Sequence, residues 1–274
     1  MVGMDGAQSL PRMAGINEQR VDAYLQRLGV GRPTTADAAT LVDLHQRHML
    51  TIPFENLSIH LGEPIVLDAG ALVDKLTIRG RGGFCYELNG AFAALLTTLG
   101  FDVTMFEARV GAGGGGMPFD HLCLRVRVAD GEYLADVGFG ASFLRPLNLR
   151  DTGAQLDPAG TYQVITAGIN WFDMVENGAA QYRFSTVARQ LADFADACHF
   201  HQTSPDSHFT RDTICSLATP TGRITISGRT LIITEDGVRT EHKIESDDEL
   251  LELYQHRFGI VLDRLPVRRA DPAH

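Results

Sequence analysis

A cysteine lies at the point where a glycine-rich turn meets an apolar helical pattern. Cys85 follows Gly82 and Gly83, and the apolar residues after it recur with helical spacing as far as residue 99. The partial positive charge at a helix N-terminus favours the thiolate, which is the nucleophilic form of cysteine. The glycines let backbone or substrate approach closely. The pattern predicts a nucleophile, although a small buried hydrophobic residue is the commoner fate of a free cysteine.

A histidine and an aspartate that could activate such a cysteine lie on two neighbouring predicted strands. His121 opens one strand, Asp136 lies near the end of the next, and the alternation puts both on one face. In a catalytic triad the aspartate orients the histidine, which takes the proton of the nucleophile. The hairpin signal Asp130-Gly131, as a two-residue turn, sets Asp136 opposite Arg125. That position is roughly 13 Å along the strand from His121. A contact between His121 and Asp136 therefore needs a bulge, a longer turn or different strand limits. The alternative is that Asp136 is only a cross-strand partner of Arg125.

The elements that must position these residues follow from the periodicity of the apolar residues. Helices are predicted over 17–28, 35–50, 86–99, 189–201 and 246–258. Strands are predicted over 102–110, 121–128, 132–137, 161–166, 171–176, 181–187, 212–218, 223–227, 229–234 and 238–244. Residues 1–15 are predicted to form a loose tail, and 51–57 an extended segment because of Pro53. The order predicts a helical unit, a β unit with strands enough for a barrel or sandwich, a linking helix and a smaller α/β unit.

The composition restricts the partners and the compartment. The chain has 274 residues, of which 44% are hydrophobic and 21% charged, and these fractions are typical of globular proteins. Its net charge of −10 argues against nucleic acid as a partner. Its four cysteines show no disulfide spacing, which favours a reducing compartment. With no signal-peptide pattern and no apolar run of membrane-spanning length, a cytoplasmic protein without membrane contact is expected.

Several segments of the chain resemble the arylamine N-acetyltransferase family. The run Arg81-Gly82-Gly83-Phe84-Cys85-Tyr86-Glu87-Leu88-Asn89 closely resembles the active-site motif of these enzymes. The similarity continues in Pro53-Phe54-Glu55-Asn56-Leu57, Asp120-His121-Leu122, Asp136-Val137-Gly138-Phe139-Gly140 and Thr203-Ser204-Pro205-Asp206-Ser207-His208-Phe209. These matches run in order from residue 53 to residue 209, and the cysteine motif together with the Asp-Val-Gly-Phe-Gly segment is specific.

The resemblance implies a fold, a catalytic set and a reaction. The fold would be α+β with a cysteine-protease-like catalytic core: a helical bundle over 1–100, a β-barrel over 101–188, a linking helix over 189–205 and an α/β lid over 206–274. Cys85, His121 and Asp136 would form the triad. Acetyl-CoA would be the co-substrate that donates the acetyl group, and an arylamine, hydrazine or arylhydroxylamine would accept it on nitrogen. An acetyl-cysteine intermediate would give ping-pong kinetics.

The resemblance also implies the residues around the substrates. Phe54, Phe84 and Phe139 would line the acceptor pocket, and core packing is an equal alternative for Phe84. The CoA cleft would be flanked by Met117, Pro118, Phe119, Phe200, His208 and Phe209. Small or hydroxyl residues are frequent in the family before the histidine, where this chain has Phe119 and Asp120, and an acid there is unfavourable for CoA phosphates. Glu55 and Arg81 match a buried ion pair that supports the structure.

Other functions fit parts of the same pattern. The order of cysteine, histidine and aspartate also suits a thiol hydrolase or a transglutaminase-like enzyme, and a CoA-independent amide synthase or a catalytically silent binding protein would share the fold. The glycine-rich run 111–116 lacks the Lys-Ser/Thr of a phosphate loop and is predicted to be a flexible connection. Cys198, His199, His201 and His208 match no standard zinc spacing, so no metal is expected, and the histidines are predicted to be solvated or to face CoA. Monomer and homodimer are both left open.

Overall fold

The computed structural model describes residues 15–267, so residues 1–14 of the predicted tail and residues 268–274 of the predicted lid lie outside it. Its helices are α1 Glu18–Leu28, α2 Ala38–Thr51, α3 Leu57–Leu61, α4 Ala69–Thr77, α5 Cys85–Thr98, α6 Ala195–Thr203 and α7 Asp247–Phe258. Its strands are β1 Phe54–Glu55, β2 Asp102–Val110, β3 His121–Val128, β4 Gly131–Ala135, β5 Leu147–Asn148, β6 Gln155–Asp157, β7 Gly160–Gly168, β8 Trp171–Glu176, β9 Ala179–Arg189, β10 Ile214–Thr219, β11 Gly222–Ser227, β12 Thr230–Glu235 and β13 Val238–Lys243.

Helix α5 is the centre of the N-terminal helices. Its residues from Cys85 to Leu96 are all buried, because most are apolar or small and the polar Glu87 and Asn89 have buried hydrogen-bond partners. The neighbouring helices begin at side-chain caps that satisfy free backbone N–H groups: Asn17 accepts from the N–H of Arg20, and Asp37 accepts from that of Thr40. These caps fix where the surrounding helices start, and their apolar faces then enclose the helix that carries the cysteine.

The eight strands β2 to β9 form one antiparallel sheet that curls on itself. Its strand order is β5-β4-β3-β2-β9-β8-β7-β6. The side chain of Gln155 joins the two edges, since it accepts from the N–H of Asn148 at 2.8 Å and donates to the carbonyl of the same residue at 2.9 Å. The sheet is therefore a nearly closed barrel, and the predicted α+β fold is confirmed.

A second sheet contains the C-terminal strands and one strand from the N-terminal half. Its order is β1-β10-β11-β12-β13, and β1 pairs through Phe54 with Ser216 and through Glu55 with Cys215. Helix α7 packs on this sheet through Tyr254 and Phe258. A short strand from the N-terminal half, β1, is thus part of the C-terminal sheet. The boundaries of the four predicted units stay a prediction.

The structure differs from the predicted elements mainly around Pro53. The segment 51–57 is not extended throughout, because Thr51 ends α2 and Leu57 begins α3. Neither α3 nor α4 was predicted, and α3 is one buried turn too short to show helical periodicity. The linking helix begins at Ala195 rather than near residue 189, because β9 extends to Arg189 through its pairing with Met105 of β2.

Candidate active site

The nucleophile candidate is the first residue of α5, as predicted. The N–H of Phe84, just before the helix, donates to the carboxylate of Glu87 at 3.2 Å. A Cβ at Gly82 would lie 1.9 Å from the carbonyl oxygen of Pro53, and a Cβ at Gly83 would lie 2.7 Å from the side chain of Glu87. The carbonyl of Gly83 in turn accepts from the N–H of Glu55 at 2.9 Å. The Gly-Gly pair therefore lets the turn before Cys85 lie against β1.

The hairpin of β3 and β4 has a different register from the predicted one. Val128 pairs with Gly131, so the two turn residues are Ala129 and Asp130 rather than Asp130 and Gly131. The observed register sets Arg127 opposite Glu132, and their side chains pair at 2.7 Å. This cross-strand ion pair, which the predicted turn would have separated, favours the observed register.

The corrected register explains how the histidine meets the aspartate. Arg125 lies opposite Leu134, not opposite Asp136, and its guanidinium donates a hydrogen bond to the hydroxyl of Thr104. Asp136 follows the end of β4 and is two residues closer to His121 than predicted. The Nε2 of His121 lies 2.7 Å from Oδ2 of Asp136, and both residues are buried. The contact that the plain hairpin excluded is therefore made.

Asp136 has a donor for each of its oxygens. Its Oδ1 accepts from Nδ2 of Asn89 at 2.8 Å and from the N–H of Gly138 at 3.0 Å, while Oδ2 faces His121. Burial alone raises the pKa of this carboxyl, but the charge and hydrogen bond of His121, with these donors, hold the pKa of Asp136 below its ordinary value. The residue is therefore an anion able to orient an imidazole.

Asn89 connects the helix of the nucleophile to both other candidate residues. It lies four residues after Cys85, one turn along the same face of α5. Its Nδ2 donates to the carbonyl of Leu122 at 2.7 Å as well as to Asp136, and its Oδ1 accepts from the N–H of Val137 at 2.9 Å. No separate role for Asn89 is predicted from the sequence, although its spacing of four residues from Cys85 is a usable signal.

The thiol of Cys85 is buried, and this changes the expectation for its ionisation. Burial raises the pKa of the Cys85 thiol well above its ordinary value, the neighbouring Cys198 raises it further, and a backbone hydrogen bond from Leu122 lowers it. Burial therefore opposes the thiolate that the helix N-terminus favours. A base beside the thiol would favour its ionisation, and His121 directly precedes Leu122 in the chain.

The three phenylalanines predicted around the acceptor differ in exposure. Phe139 is partly exposed, and its ring lies 5.2 Å from that of His121. Phe54 is also partly exposed, with its ring 6.1 Å from that of Phe209. Phe84 has no exposed surface and packs against Phe209 at 5.4 Å. The first two can therefore present a ring to a ligand, whereas Phe84 packs in the core against Tyr86 and Phe209.

The residues predicted at the CoA cleft form two groups. Pro118 is exposed and Met117 and Phe119 are partly exposed, in the turn before His121. Phe200, His208 and Phe209 lie around the ring of His201 at centroid distances of 5.5, 6.0 and 5.2 Å. His201 itself is neither solvated nor free to face CoA, because it is buried and its Nε2 lies 3.0 Å from Oδ1 of Asp120.

Buried charges support the turn before Cys85. Arg81 donates from Nε to Oε1 of Glu55 at 3.0 Å and from Nη2 to Oε2 at 3.1 Å, and both side chains are buried. Lys75 donates to Glu87 at 2.6 Å. Burial raises the pKa of Glu55, but Lys75 and Arg81 outweigh it and hold that pKa below its ordinary value. The pairing is thus a structural support for the nucleophile segment.

Arg81→Met is expected to lower the free energy of unfolding by about 3–5 kcal/mol, because the carboxylate of Glu55 would stay buried without its guanidinium. The matched control is Arg79→Met, which removes an exposed pairing with Glu63 and should cost no more than about 1 kcal/mol. Urea unfolding of the two variants measures the difference. Equal losses for both would contradict a supporting role for the buried pair.

A cavity of about 430 Å³ lies between the barrel and the C-terminal sheet. Its lining includes Ser142, Tyr162 and Arg223. The guanidinium of Arg223 donates to the hydroxyl of Ser216 at 3.0 Å and has no ion pair among residues 15–267, and burial lowers its pKa to about 10. Among residues 15–267 the buried hydroxyl of Ser142 has no hydrogen-bond partner. The cavity therefore contains a guanidinium and a hydroxyl that could bind an anion, together with the carboxylate of Glu176, whose charge acts on Arg223.

Comparison with known proteins identifies the family. A family model described as N-acetyltransferase matches residues 37–267. The arylamine N-acetyltransferase of Mycolicibacterium smegmatis is 35% identical, over 89% of this chain and 93% of that protein. The solved arylamine N-acetyltransferase of Salmonella typhimurium has a TM-score of 0.82 and 30% identity, over 88% of this chain and 91% of that one. The Mycobacterium marinum enzyme in complex with CoA has a TM-score of 0.81 and 31% identity, with coverages of 88% and 92%.

The fold and these relatives define an acyltransferase of the transferase class. The chain belongs to the arylamine N-acetyltransferase family. Within residues 15–267, no helix combines the length and the apolar character that crossing a membrane requires.

Proposed function

We propose that the protein transfers an acetyl group from acetyl-CoA to the nitrogen of an arylamine, hydrazine or arylhydroxylamine, through an acetyl-cysteine on Cys85. The observation that carries this is the 2.7 Å contact of His121 with the buried Asp136, next to the N-terminus of the helix that Cys85 begins. Family membership and the relative in complex with CoA support the donor. The four free, buried cysteines agree with the cytoplasmic location that we propose.

The first half-reaction forms the acetyl-cysteine. Nε2 of His121 donates to Asp136, so its Nδ1 is unprotonated in the neutral ring and accepts the proton of the Cys85 thiol. The resulting imidazolium is stabilised by the carboxylate, and the thiolate attacks the thioester carbonyl of acetyl-CoA. The bond from carbonyl carbon to CoA sulfur then breaks, and the CoA thiolate takes the proton from His121 as it leaves.

The second half-reaction returns the enzyme to its starting state. The amine nitrogen attacks the acetyl-cysteine carbonyl, and Nδ1 of His121 takes a proton from that nitrogen. Collapse of the tetrahedral intermediate breaks the bond to Cys85, and the sulfur regains the proton from His121. Backbone N–H groups near Cys85 are the candidates for stabilising the oxyanion in both halves. The cycle needs no other co-reactant.

The acceptor would bind beside the aromatic rings. Phe139 next to His121 and Phe54 next to Gly140 offer apolar ring surface to an arylamine, whereas the buried Phe84 does not. A Cβ at Gly140 would lie 3.5 Å from the ring of Phe54, so the loop after Asp136 and the strand before the nucleophile form one wall. This supports an acceptor with a flat aromatic body.

The donor would lie along Met117, Pro118, Phe119, Phe200, His208 and Phe209. Burial and the nearby His201 lower the pKa of His208, so it supplies little positive charge near neutrality. CoA phosphates need a cation, because the net charge of the protein is −10. Arg223, which has no ion pair among residues 15–267, lines the same cavity as Ser142, and we propose it as the contact for the anionic end of CoA.

Arg223→Gln is expected to raise the KM for acetyl-CoA about tenfold or more with little change in kcat, because a charge-assisted hydrogen bond to a phosphate is lost. The exposed Arg239, which pairs with Glu241 on β13, provides the matched control Arg239→Gln. Steady-state kinetics with varied acetyl-CoA and saturating amine measures both. A KM unchanged in Arg223→Gln would exclude the cavity from donor binding.

The proposed function is tested by reacting the protein with acetyl-CoA in the absence of an amine, followed by intact mass and peptide mapping. One acetyl group on Cys85, discharged by an arylamine or hydrazine, is the expected result. Steady hydrolysis of acetyl-CoA without an amine would favour a thiol hydrolase. Untouched acetyl-CoA and unmodified Cys85 would contradict the proposal and favour a CoA-independent amide synthase.

A further inference from the structure

A second aspartate–histidine pair lies directly beside the first. Asp120 precedes His121, and its Oδ1 lies 3.0 Å from Nε2 of His201 on α6. The Nδ1 of His201 lies 2.9 Å from the hydroxyl of Ser207. His201 and Ser207 are both buried. Because a carboxylate only accepts, Nε2–H of His201 donates to Asp120, and the serine hydroxyl can rotate to satisfy Nδ1 in either protonation state of the ring.

The pair anchors a strained turn that ends at His121. Phe119 has a φ of 61°, in the left-handed region that a bulky residue adopts only when its surroundings enforce it. The hydroxyl of Tyr86 donates to the carbonyl of Phe119 at 2.8 Å, and the guanidinium of Arg189 lies 5.1 Å from the centre of the Phe119 ring. Tyr86 is the neighbour of Cys85, so this turn connects the two reacting residues.

The partner of Asp120 also affects the charge around the nucleophile. The carboxylate of Asp120 is one of the groups that raise the pKa of the Cys85 thiol, after burial, Cys198 and Asp136. Burial raises the pKa of Asp120, but the hydrogen bond and charge of His201 help to hold that pKa below its ordinary value. The ionisable groups that face His201 are Asp120, Tyr86 with ring centroids 6.1 Å apart, and His208 at 6.0 Å.

From this geometry we infer that His201 is a positioning residue for acyl transfer, which acts on His121 through Asp120. The chain Ser207–His201–Asp120 holds the turn 117–120 against α6, and the turn fixes the first residue of β3, where His121 must meet both Asp136 and the thiol. This inference rests on the proposed function. It concerns residues outside the triad, and it assigns α6 a part in the chemistry.

The test compares His201→Phe, which keeps a ring but has no N–H, with His201→Gln, whose amide N–H can still reach Asp120. The phenylalanine variant should lose about 10- to 100-fold in kcat with both KM values within about threefold, since misplacing a catalytic group costs rate rather than binding. It should also slow alkylation of Cys85 by iodoacetamide. The glutamine variant should recover most of both losses. The exposed His199 on the same helix gives the matched controls His199→Phe and His199→Gln.

Each outcome decides the inference. Wild-type kcat and wild-type alkylation rates in a folded His201→Phe protein would overturn it, as would equal losses in the phenylalanine and glutamine variants. If His201→Phe does not fold, Ser207→Ala should still lower kcat about threefold at unchanged KM, and an unchanged kcat there would overturn the inference. Alkylation needs no acetyl-CoA, so a wild-type protein that fails to transfer acetyl groups would count against the proposed function and not against this role.

Discussion

Cys85→Ser is expected to lower kcat/KM for acetyl transfer by about 10⁴-fold or more, and to leave no acetyl group on the protein after incubation with acetyl-CoA. A serine hydroxyl in the same buried place is a far weaker acid than the thiol, so proton transfer to His121 no longer yields a useful nucleophile. Burial already raises the pKa of the thiol well above its ordinary value, and the pKa of a hydroxyl in that place would be higher than that of the thiol. Initial rates with a hydrazine acceptor measure the loss.

The matched control is Cys215→Ala. This cysteine is also free and buried, but it lies on β10 of the C-terminal sheet. Its replacement should leave kcat within about twofold of wild type, since a small truncation away from the site costs stability rather than rate. If Cys85→Ser retained more than a few per cent of activity, or if an acetyl group appeared on another residue, the nucleophile assignment would be wrong.

Asp136→Asn is expected to lower kcat by about 10³- to 10⁴-fold. Oδ1 of Asp136 accepts from Asn89 and Gly138, so the amide oxygen of the new asparagine would take that side. Its NH₂ group would then face Nε2 of His121. Because that NH₂ group is a donor, Nε2 would have to accept from it and could not carry a proton itself. The proton would move to Nδ1, and the imidazole could not accept the proton of the thiol.

Asp130→Asn is the control for that variant, because Asp130 lies exposed in the turn of the same hairpin and should give wild-type kcat. Thermal unfolding of both proteins separates a loss of rate from a loss of fold. A folded Asp136→Asn enzyme with more than about a tenth of wild-type kcat would show that the tautomer of His121 does not limit the reaction.

The sequence predicted the site best where local signals decide the structure. The start of α5 at Cys85 follows from two glycines and an uninterrupted apolar helix, and β3 has the predicted limits of 121 and 128. The hairpin register was wrong because the Asp130-Gly131 signal is local. The observed pairing also depends on Arg127 and Glu132 across the strands.

The remaining errors concern contacts between residues distant in the chain. The buried His45 accepts from the N–H of Asp136 through Nε2 and donates to the carbonyl of Leu144 through Nδ1, which no spacing could indicate. The same holds for His201 and Asp120. Both histidines lie in helices whose apolar pattern shows only that one face is buried, and the partner of a buried polar group depends on the tertiary fold.

The position of β1 has a consequence for how the protein is made. Glu55 pairs with Cys215 on one side and donates its N–H to Gly83 on the other. The contacts of the turn that presents Cys85 are thus complete only when β1 is paired with β10, a strand that is synthesised much later than β1. A fragment that lacks β10 can bury α5, but it leaves one edge of β1 without its partner strand. Assembly of the segment around the thiol therefore depends on pairing between two distant parts of the chain.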